Sequence, residues 1–118
     1  MRTFTLQITE EDVEKYAYLS GDDNPIHLNV DIAKQAGFAN KVVHGMLTIA
    51  KVISIISNDF LASNVFIQKS EFTFFSPIYI GSKISLTVKP TNQEIVVVGH
   101  SDKVVHFKGK IGILQELE

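Results

Sequence analysis

Cysteine is absent from the 118-residue chain, and its absence removes several classes of function at once. A chain without cysteine forms no disulfide, has no thiolate nucleophile and offers no thiolate ligand to zinc or an iron–sulfur cluster. The chain also lacks a large excess of charge of either sign, because the formal net charge is -2. Its basic residues form no long run. Binding driven by contacts to nucleic-acid phosphates is therefore not indicated.

Long hydrophobic runs are missing as well. The first residues, MRTFTLQITEED, contain no apolar segment of the kind found in secretory signal peptides. The longest apolar stretch begins near Met46, is interrupted by Thr48, Lys51 and Ser54, and is too short to cross a bilayer. The sequence therefore predicts a cytoplasmic protein without membrane insertion.

The composition is that of a globular domain, with 45% hydrophobic and 20% charged residues. The length fits one unit, so residues 1–118 are expected to form a single domain. The first half of the chain predicts one short strand followed by helices, and the second half predicts several antiparallel strands separated by turns. Residues 44–57 are apolar around most of the helical circumference, which predicts a helix buried nearly all round.

These elements predict an α+β fold in which a curved antiparallel sheet wraps around one central helix. A sheet that buries one face needs a partner layer, and only the helix at 44–57 is apolar enough to supply it. Thr9 and Gly21 are expected to cap the first helix, and Asn29 the start of a second. On the last strand, Val105 is predicted to share the core face with Phe107.

Several side chains outside any motif are interpreted as structural. Aromatic residues on helices and strands usually pack in the interior, which is the prediction for Tyr16 and Tyr18. Phe72, Phe74 and Phe75 are also expected in the core, with an interface or the wall of a ligand tunnel as the alternatives. Two histidines have no carboxylate at a meaningful spacing and are interpreted as surface residues: His100 and His106. A third histidine, His44, is expected to bond a neighbouring backbone group.

The segment LSGDDNPIH, residues 19–27, concentrates polar side chains around a proline. Pro25 removes an amide donor and keeps Asn24 out of helical geometry, so the segment must form an ordered turn. Such a turn can bring Asp22 and His27 to a common point. Both side chains supply basic forms near neutral pH, and histidine can also return a proton. Three interpretations of the segment are open. The polar residues form a proton-transfer pair, or they only stabilise the turn, or, as the weakest alternative, Asp22, Asp23 and His27 bind a metal ion.

The pattern VVHGM, residues 42–46, sets Gly45 at the start of the apolar helix. Helix N-termini present free N–H groups and a partial positive charge, and glycine lets a ligand approach the backbone closely. The Gly45 amide is therefore a candidate oxyanion-hole donor. An equally good interpretation is that Gly45 relieves crowding where the helix packs against the sheet.

Taken together, YLSGDDNPIH and AGFANKVVHGMLTIA resemble the MaoC-like family of (R)-specific enoyl-CoA hydratases and hydroxyacyl dehydratases. That family carries S-G-D-x-N-P-x-H followed by V-H-G-M at the start of a long apolar helix. The later FFSPIYIGSKI resembles the family's strand break, with Ser82 where aspartate is usual. The resemblance covers nearly the whole chain and implies a hot-dog fold and a homodimer that joins two sheets.

The resemblance also implies roles for individual residues. Asp22 and His27 would position and activate one water, the Gly45 amide would bind the thioester oxygen, and Asn24 would support the turn or contact the acyl thioester. The implied reaction is reversible hydration of trans-2-enoyl thioesters of coenzyme A or acyl carrier protein, with no metal or other cofactor. Two alternatives stay open: a hot-dog thioesterase, and a non-catalytic acyl-thioester-binding module.

Overall fold

The computed structural model describes residues 1–115, and residues 116–118 lie outside the described part of the chain. Within it, one antiparallel sheet contains five strands: β1 (Arg2–Gln7), β2 (Val65–Phe74), β3 (Lys83–Pro90), β4 (Glu94–Ser101) and β5 (Val104–Gln115). Their order across the sheet is β1-β3-β4-β5-β2. Between β1 and β2 the chain forms α1 (Glu10–Ser20), a 3₁₀ turn (Pro25–His27), α2 (Val30–Gln35), α3 (Gly45–Ile55) and a π-helical turn (Ile56–Phe60).

The core forms where α3 and α1 pack against one face of the sheet. Val52 in α3 and Val13 in α1 are fully buried. They pack in one cluster with buried side chains from four of the strands, among them Leu6, Ile84, Leu86, Val88, Ile95, Val97, Phe107 and Ile111. Burial of this apolar surface drives the two layers together. The predicted α+β architecture, an antiparallel sheet around one apolar helix, is confirmed.

The burial predicted for α3 is wrong on one side of the helix. Met46, Ala50 and Ser54 recur every four residues and are all exposed, with Met46 at 65%. The sheet and α1 cover only the opposite side, because a helix packed on one layer buries one stripe. In the part of the chain that is described, no helix is long and apolar enough to span a membrane.

The predicted caps are confirmed, and they fix the helix ends by local hydrogen bonds. The Thr9 hydroxyl accepts from the Asp12 N–H at 3.2 Å, while the Asp12 carboxylate accepts from the Thr9 N–H at 3.0 Å. Gly21 ends α1 in the left-handed conformation at φ 78°, where glycine has no steric penalty. The Asn29 side chain accepts from the Ile32 N–H at the start of α2. The chain therefore leaves α1 at a defined point directly before Asp22.

The outward position of His106 and the inward position of Val105 are predicted wrongly. His106 is buried and Val105 is exposed. The register of β4 and β5 shifts here, since Gly99 lies opposite Phe107 but His100 lies opposite Val105, so His106 is the extra residue of a β-bulge. The chain after β2 continues beside it, where the Phe75 and Ser76 N–H groups donate to the His106 carbonyl at 2.8 and 3.3 Å. Regular alternation along one strand does not predict a bulge or the segment that packs beside it.

Four further side chains differ from their predicted environments. Tyr18 is 88% exposed, and Phe74 and Phe75 are exposed at the end of β2 instead of packed in the core. β2 ends at Phe74, and Phe74 and Phe75 line a cavity, so they occupy the wall position that the sequence offered as an alternative to the core. His100 is half-buried, and its Nε2 lies 3.1 Å from the Thr87 hydroxyl oxygen. Tyr16 and Phe72 pack against the core as predicted.

Asp12 joins α1 to α3, since its second carboxylate oxygen lies 3.3 Å from Lys51 Nζ. The Thr9 backbone N–H lowers the pKa of the Asp12 carboxyl below its ordinary 3.8, an effect that burial opposes and that the Thr9 side chain and Lys51 reinforce. A lowered folded pKa means that ionised Asp12 stabilises the fold above its unfolded pKa. That stabilisation is lost as the pH falls through the folded pKa.

We expect Asp12→Asn to lower the free energy of unfolding by about 1 kcal/mol at neutral pH, because it removes the charge from the helix start and from Lys51. The difference from the unchanged chain should shrink to nothing as the pH falls through the folded pKa of Asp12. Urea denaturation from about pH 7 down to about pH 3 measures both effects. Glu14→Gln is the matched control, since Glu14 is exposed on the same helix and has no ion pair within residues 1–115. Equal losses in the two variants would contradict the assigned role.

Candidate active site

Side chain to backbone hydrogen bonds build the turn after α1. The Ser20 hydroxyl donates to the Tyr16 carbonyl at 2.6 Å and accepts from the Asp22 N–H at 3.1 Å. The Asn24 side chain accepts from the Ile26 N–H at 3.1 Å, and Pro25 opens the 3₁₀ turn. Serine, asparagine and proline favour this geometry for local reasons, so the sequence itself determines the path of the backbone.

His27 is buried at the end of this turn and contacts the segment that leads into α3. Its Nδ1 lies 2.6 Å from the Val42 carbonyl oxygen. A carbonyl oxygen only accepts, so Nδ1 carries the hydrogen and Nε2 of the neutral ring keeps a lone pair. The Val42 N–H returns a hydrogen bond to the Ile26 carbonyl at 3.1 Å. These two bonds hold the imidazole in one position and one tautomer.

His44 stacks on His27, with ring centroids 3.7 Å apart and an angle of 25° between the planes. Its Nε2 lies 2.8 Å from the Asp22 carbonyl oxygen, which confirms that His44 bonds a backbone group. The edge of Tyr16 meets the ring, with 4.8 Å between centroids. Nδ1 of His44 is buried and has no hydrogen-bond partner in the described residues. His44 therefore ties the Asp22 backbone to the start of α3.

The turn brings the side chain of Asp22 close to both histidines. One carboxylate oxygen of Asp22 and one ring nitrogen each of His27 and His44 lie within 4.8 Å of one another. Asp22 is exposed, and Asp23 is an exposed neighbour outside this cluster. The structure thus brings Asp22 and His27 close together, and their role as a proton-transfer pair stays a prediction.

The cluster is poorly arranged for a metal ion. Nδ1 of His27 and Nε2 of His44 already bond backbone carbonyls, so each ring has one nitrogen left. The lone pairs of those nitrogens lie in ring planes that are stacked and nearly parallel. Ligand lone pairs must converge on one ion, and stacked rings direct them side by side instead. Proton transfer suits this geometry better than metal binding.

Gly45 and His27 both line a cavity of about 420 Å³. The other lining residues come from the 3₁₀ turn, the segment around Val42, α3 and the chain after β2: Ile26, Phe38, Val42, Val43, Thr48, Phe74, Phe75, Ser76, Pro77 and Ile78. Neither Asp22 nor Asn24 belongs to this lining of the described chain. The Asn24 side chain bonds the backbone of its own turn, which supports the first of its two implied roles.

Gly45 is the first residue of α3, and no side chain within residues 1–115 caps this helix N-terminus. A methyl group added at Gly45 would lie 3.6 Å from the Phe74 ring, an ordinary van der Waals contact. Crowding therefore does not require glycine here. The interpretation of Gly45 as a backbone donor facing a ligand gains support from this, because uncapped N–H groups border an apolar cavity.

Sequence reasoning missed two parts of the site. One is the Val42 carbonyl, a backbone group that every residue type has and that the sequence therefore does not single out. The other is the part of the cavity wall from Ser76 to Ile78, which follows the two phenylalanines already considered as a wall and comes from a distant part of the chain. Its available signal was the break at Ser76-Pro77 directly after an aromatic strand. A proline that ends a strand predicts where the chain must turn away from the sheet.

The chain belongs to the MaoC-like domain family, whose model matches residues 2–108. The mitochondrial 3-hydroxyacyl-[acyl-carrier-protein] dehydratase of Arabidopsis thaliana is 36% identical over 98 residues, which cover 79% of this chain and 58% of the relative. The (R)-specific enoyl-CoA hydratase of Rhodospirillum rubrum is 30% identical over 84 residues, which cover 71% of this chain and 58% of the relative. The chain thus spans somewhat more than half the length of these relatives.

Solved structures agree with the fold. The (R)-hydratase from A. caviae superposes with a TM-score of 0.80 at 17% identity, covering 98% of this chain and 93% of that chain. At this identity the likeness is evidence for the fold alone. The hot-dog fold implied by the sequence resemblance is confirmed.

Proposed function

We propose that the chain is a hydro-lyase that catalyses reversible hydration of trans-2-enoyl thioesters to (R)-3-hydroxyacyl thioesters. The observation that carries the proposal is the approach of the Asp22 carboxylate to within 4.8 Å of a ring nitrogen of His27, beside a cavity that His27 lines together with Gly45. The names of the relatives, hydratases and dehydratases of acyl thioesters, support the same reaction class.

The spacing of Asp22 and His27 suits one shared water molecule. Two hydrogen bonds of about 2.8 Å that meet at a roughly tetrahedral water oxygen span about 4.6 Å. The side chains make no ion pair with each other in the described chain, so neither neutralises the other. Since Nδ1 of His27 is occupied by the Val42 carbonyl, the free Nε2 lone pair is the one that can receive a proton.

Hydration needs two proton movements and a place for negative charge. The water oxygen bonds to the β-carbon, its proton passes to one of the two side chains, and a proton is delivered to the α-carbon. Asp22 and His27 share this work, because one water bound between them can exchange protons with both side chains. Dehydration runs through the same steps in reverse, with the hydroxyl leaving as water. No metal, flavin or nicotinamide takes part.

The negative charge develops on the thioester oxygen as an enolate. The Gly45 N–H lies at the uncapped start of α3, where the partial positive charge of the helix end adds to the donor. The absence of a side chain at Gly45 lets the thioester approach the backbone closely. In this proposal the acyl chain occupies the apolar cavity, whose walls include Phe74, Phe75 and Ile78.

The proposal extends to partners and organisation. The substrate is carried by coenzyme A or acyl carrier protein, residues 1–118 act as one domain, and two chains form a homodimer that binds no nucleic acid. A cytoplasmic location stays a prediction, because the names of the relatives include mitochondrial and peroxisomal proteins. A thioesterase and a non-catalytic acyl-binding module are the competing functions, and neither explains why Asp22 and His27 stand together.

Substitution of the pair tests the proposal. We expect Asp22→Asn and His27→Gln each to slow hydration of crotonyl-CoA by about 10²-fold or more, because each removes a proton-transfer group. Loss of the enoyl absorbance measures the rate, and Asp23→Asn, a neighbouring exposed carboxylate, should keep full activity. Wild type inactive on enoyl thioesters of both carriers would exclude a hydratase, and full activity in both variants would exclude Asp22 and His27 as its proton-transfer pair. Release of free thiol would favour the thioesterase, and binding without turnover would favour the acyl-binding module.

The Gly45 amide can be removed without disturbing the helix. Proline is well tolerated at the first position of a helix, and His44 before it has the extended conformation (φ -60°, ψ 134°) that proline requires. We expect Gly45→Pro to lower kcat by about 10²-fold to 10³-fold, because the oxyanion loses its donor. Gly45→Ala keeps the N–H and adds the same Cβ that proline adds, so it is the matched control and should lose much less activity than Gly45→Pro. Equal activities in the two variants would exclude the amide as the donor.

A further inference from the structure

A buried histidine lies behind the cavity wall and takes no part in the chemistry proposed above. His106 on β5 is 8% exposed and does not belong to the lining of the cavity in the described chain. Burial of an imidazole is unfavourable unless its nitrogens find partners, so the contacts of this ring show what it does.

The contacts of His106 converge on three consecutive wall residues. Its carbonyl oxygen accepts from the Phe75 N–H at 2.8 Å and the Ser76 N–H at 3.3 Å. Its ring Nδ1 lies 3.2 Å from the Pro77 carbonyl oxygen, which only accepts, so Nδ1–H donates. The segment 75–77 is therefore held to β5 by the backbone and the side chain of one residue.

The second ring nitrogen is fixed from the opposite side. Nε2 lies 2.6 Å from the hydroxyl oxygen of Ser101, the last residue of β4. With Nδ1 protonated, Nε2 accepts from the Ser101 hydroxyl, and the neutral ring is fully satisfied. The hairpin between β4 and β5 thus supports the ring, and the ring in turn supports the wall.

Phe74, where the cavity wall begins, is supported by contacts other than those of His106. The Phe74 ring lies 5.8 Å from the Phe107 ring, measured between centroids. Phe107 lies flat on the backbone of β4, since a methyl group added at Gly99 would come within 2.1 Å of its ring. Phe74 therefore depends on the core, whereas the following residues 75–77 depend on His106.

We propose that His106 is a positioning residue that fixes the wall segment 75–77 and thereby sets which acyl chains fit the cavity. The substrate class in this inference rests on the proposed hydratase function. Loss of the ring donor releases the Pro77 carbonyl and lets the wall move outward. Short acyl chains then lose contact with the wall, and longer chains gain room.

Kinetics on two acyl lengths test the inference. In His106→Ala we expect KM for crotonyl-CoA to rise about fivefold to tenfold, the effect of losing one buried hydrogen bond, with kcat within about twofold of wild type. KM for an eight-carbon enoyl-CoA should fall relative to crotonyl-CoA. His106→Asn keeps an N–H near the Nδ1 position and should restore the wild-type preference. An unchanged preference in folded His106→Ala, or equal behaviour of the Ala and Asn variants, would overturn the inference.

Hydrogen exchange provides a readout that does not depend on catalysis. Amides of Phe75 and Ser76 should exchange faster in His106→Ala than in wild type, while amides within β4 keep their protection. If wild type hydrates no enoyl thioester, the proposed function fails, and exchange still decides whether His106 holds the wall. If His106→Ala does not fold, His106→Asn and His106→Gln replace it, because Gln reaches Ser101 but not Pro77. Equal exchange in those two variants would likewise contradict the inference.

Discussion

The hydrogen bond from His27 Nδ1 to the Val42 carbonyl, 2.6 Å long, is the interaction on which the site depends. It joins the turn after α1 to the segment that enters α3, and the Val42 N–H reinforces it through the Ile26 carbonyl. The same contact that locates the imidazole also locates the next residues along the chain, including Gly45. It therefore fixes the distance between the proton-transfer pair and the amide proposed to hold the oxyanion.

The three most buried histidines of the described chain make the same kind of contact, a hydrogen bond from the ring to a backbone carbonyl. His27 faces the Val42 carbonyl, His44 the Asp22 carbonyl and His106 the Pro77 carbonyl. In each case a ring N–H ties a loop to a rigid element, because buried imidazole must find partners and loop carbonyls are available. The loops bound in this way are those that surround the cavity. The hydrophobic core positions the sheet and α3, and these histidines position the groups around them.

Much of the fold follows from local sequence. The capping box at Thr9, the left-handed Gly21 and the cap at Asn29 are short-range patterns, and the structure has all three. The turn carrying Asp22 and His27 was also accessible, since Asn24 and Pro25 specify it through bonds to their own neighbours. Local rules succeeded wherever the partner of a residue lay within a few positions along the chain.

The remaining features depend on contacts between distant segments. His106 is the extra residue of a β-bulge and is buried where residues 75–77 contact it, and Phe75 is exposed just past the end of β2. Alternation along β5 contains neither fact, since it describes one regular strand and not its neighbours. The outer side of α3 was likewise predicted as buried because composition alone does not show how many layers surround a helix. The role of the Val42 carbonyl could not be predicted for a simpler reason. Every residue has a backbone carbonyl, so residue identity does not show which one accepts from His27.

The tautomer of His27 tests the central claim most directly, because the Nε2 lone pair exists only if Nδ1 carries the hydrogen. Two-bond nitrogen–proton correlation spectra of the imidazole rings distinguish the two neutral forms. The account predicts the Nδ1–H form for His27 and the opposite Nε2–H form for its stacked neighbour His44, which donates to the Asp22 carbonyl. Neutral His27 in the Nε2–H form would contradict the account, since its free lone pair would then face the Val42 carbonyl and His27 would offer no base to the water.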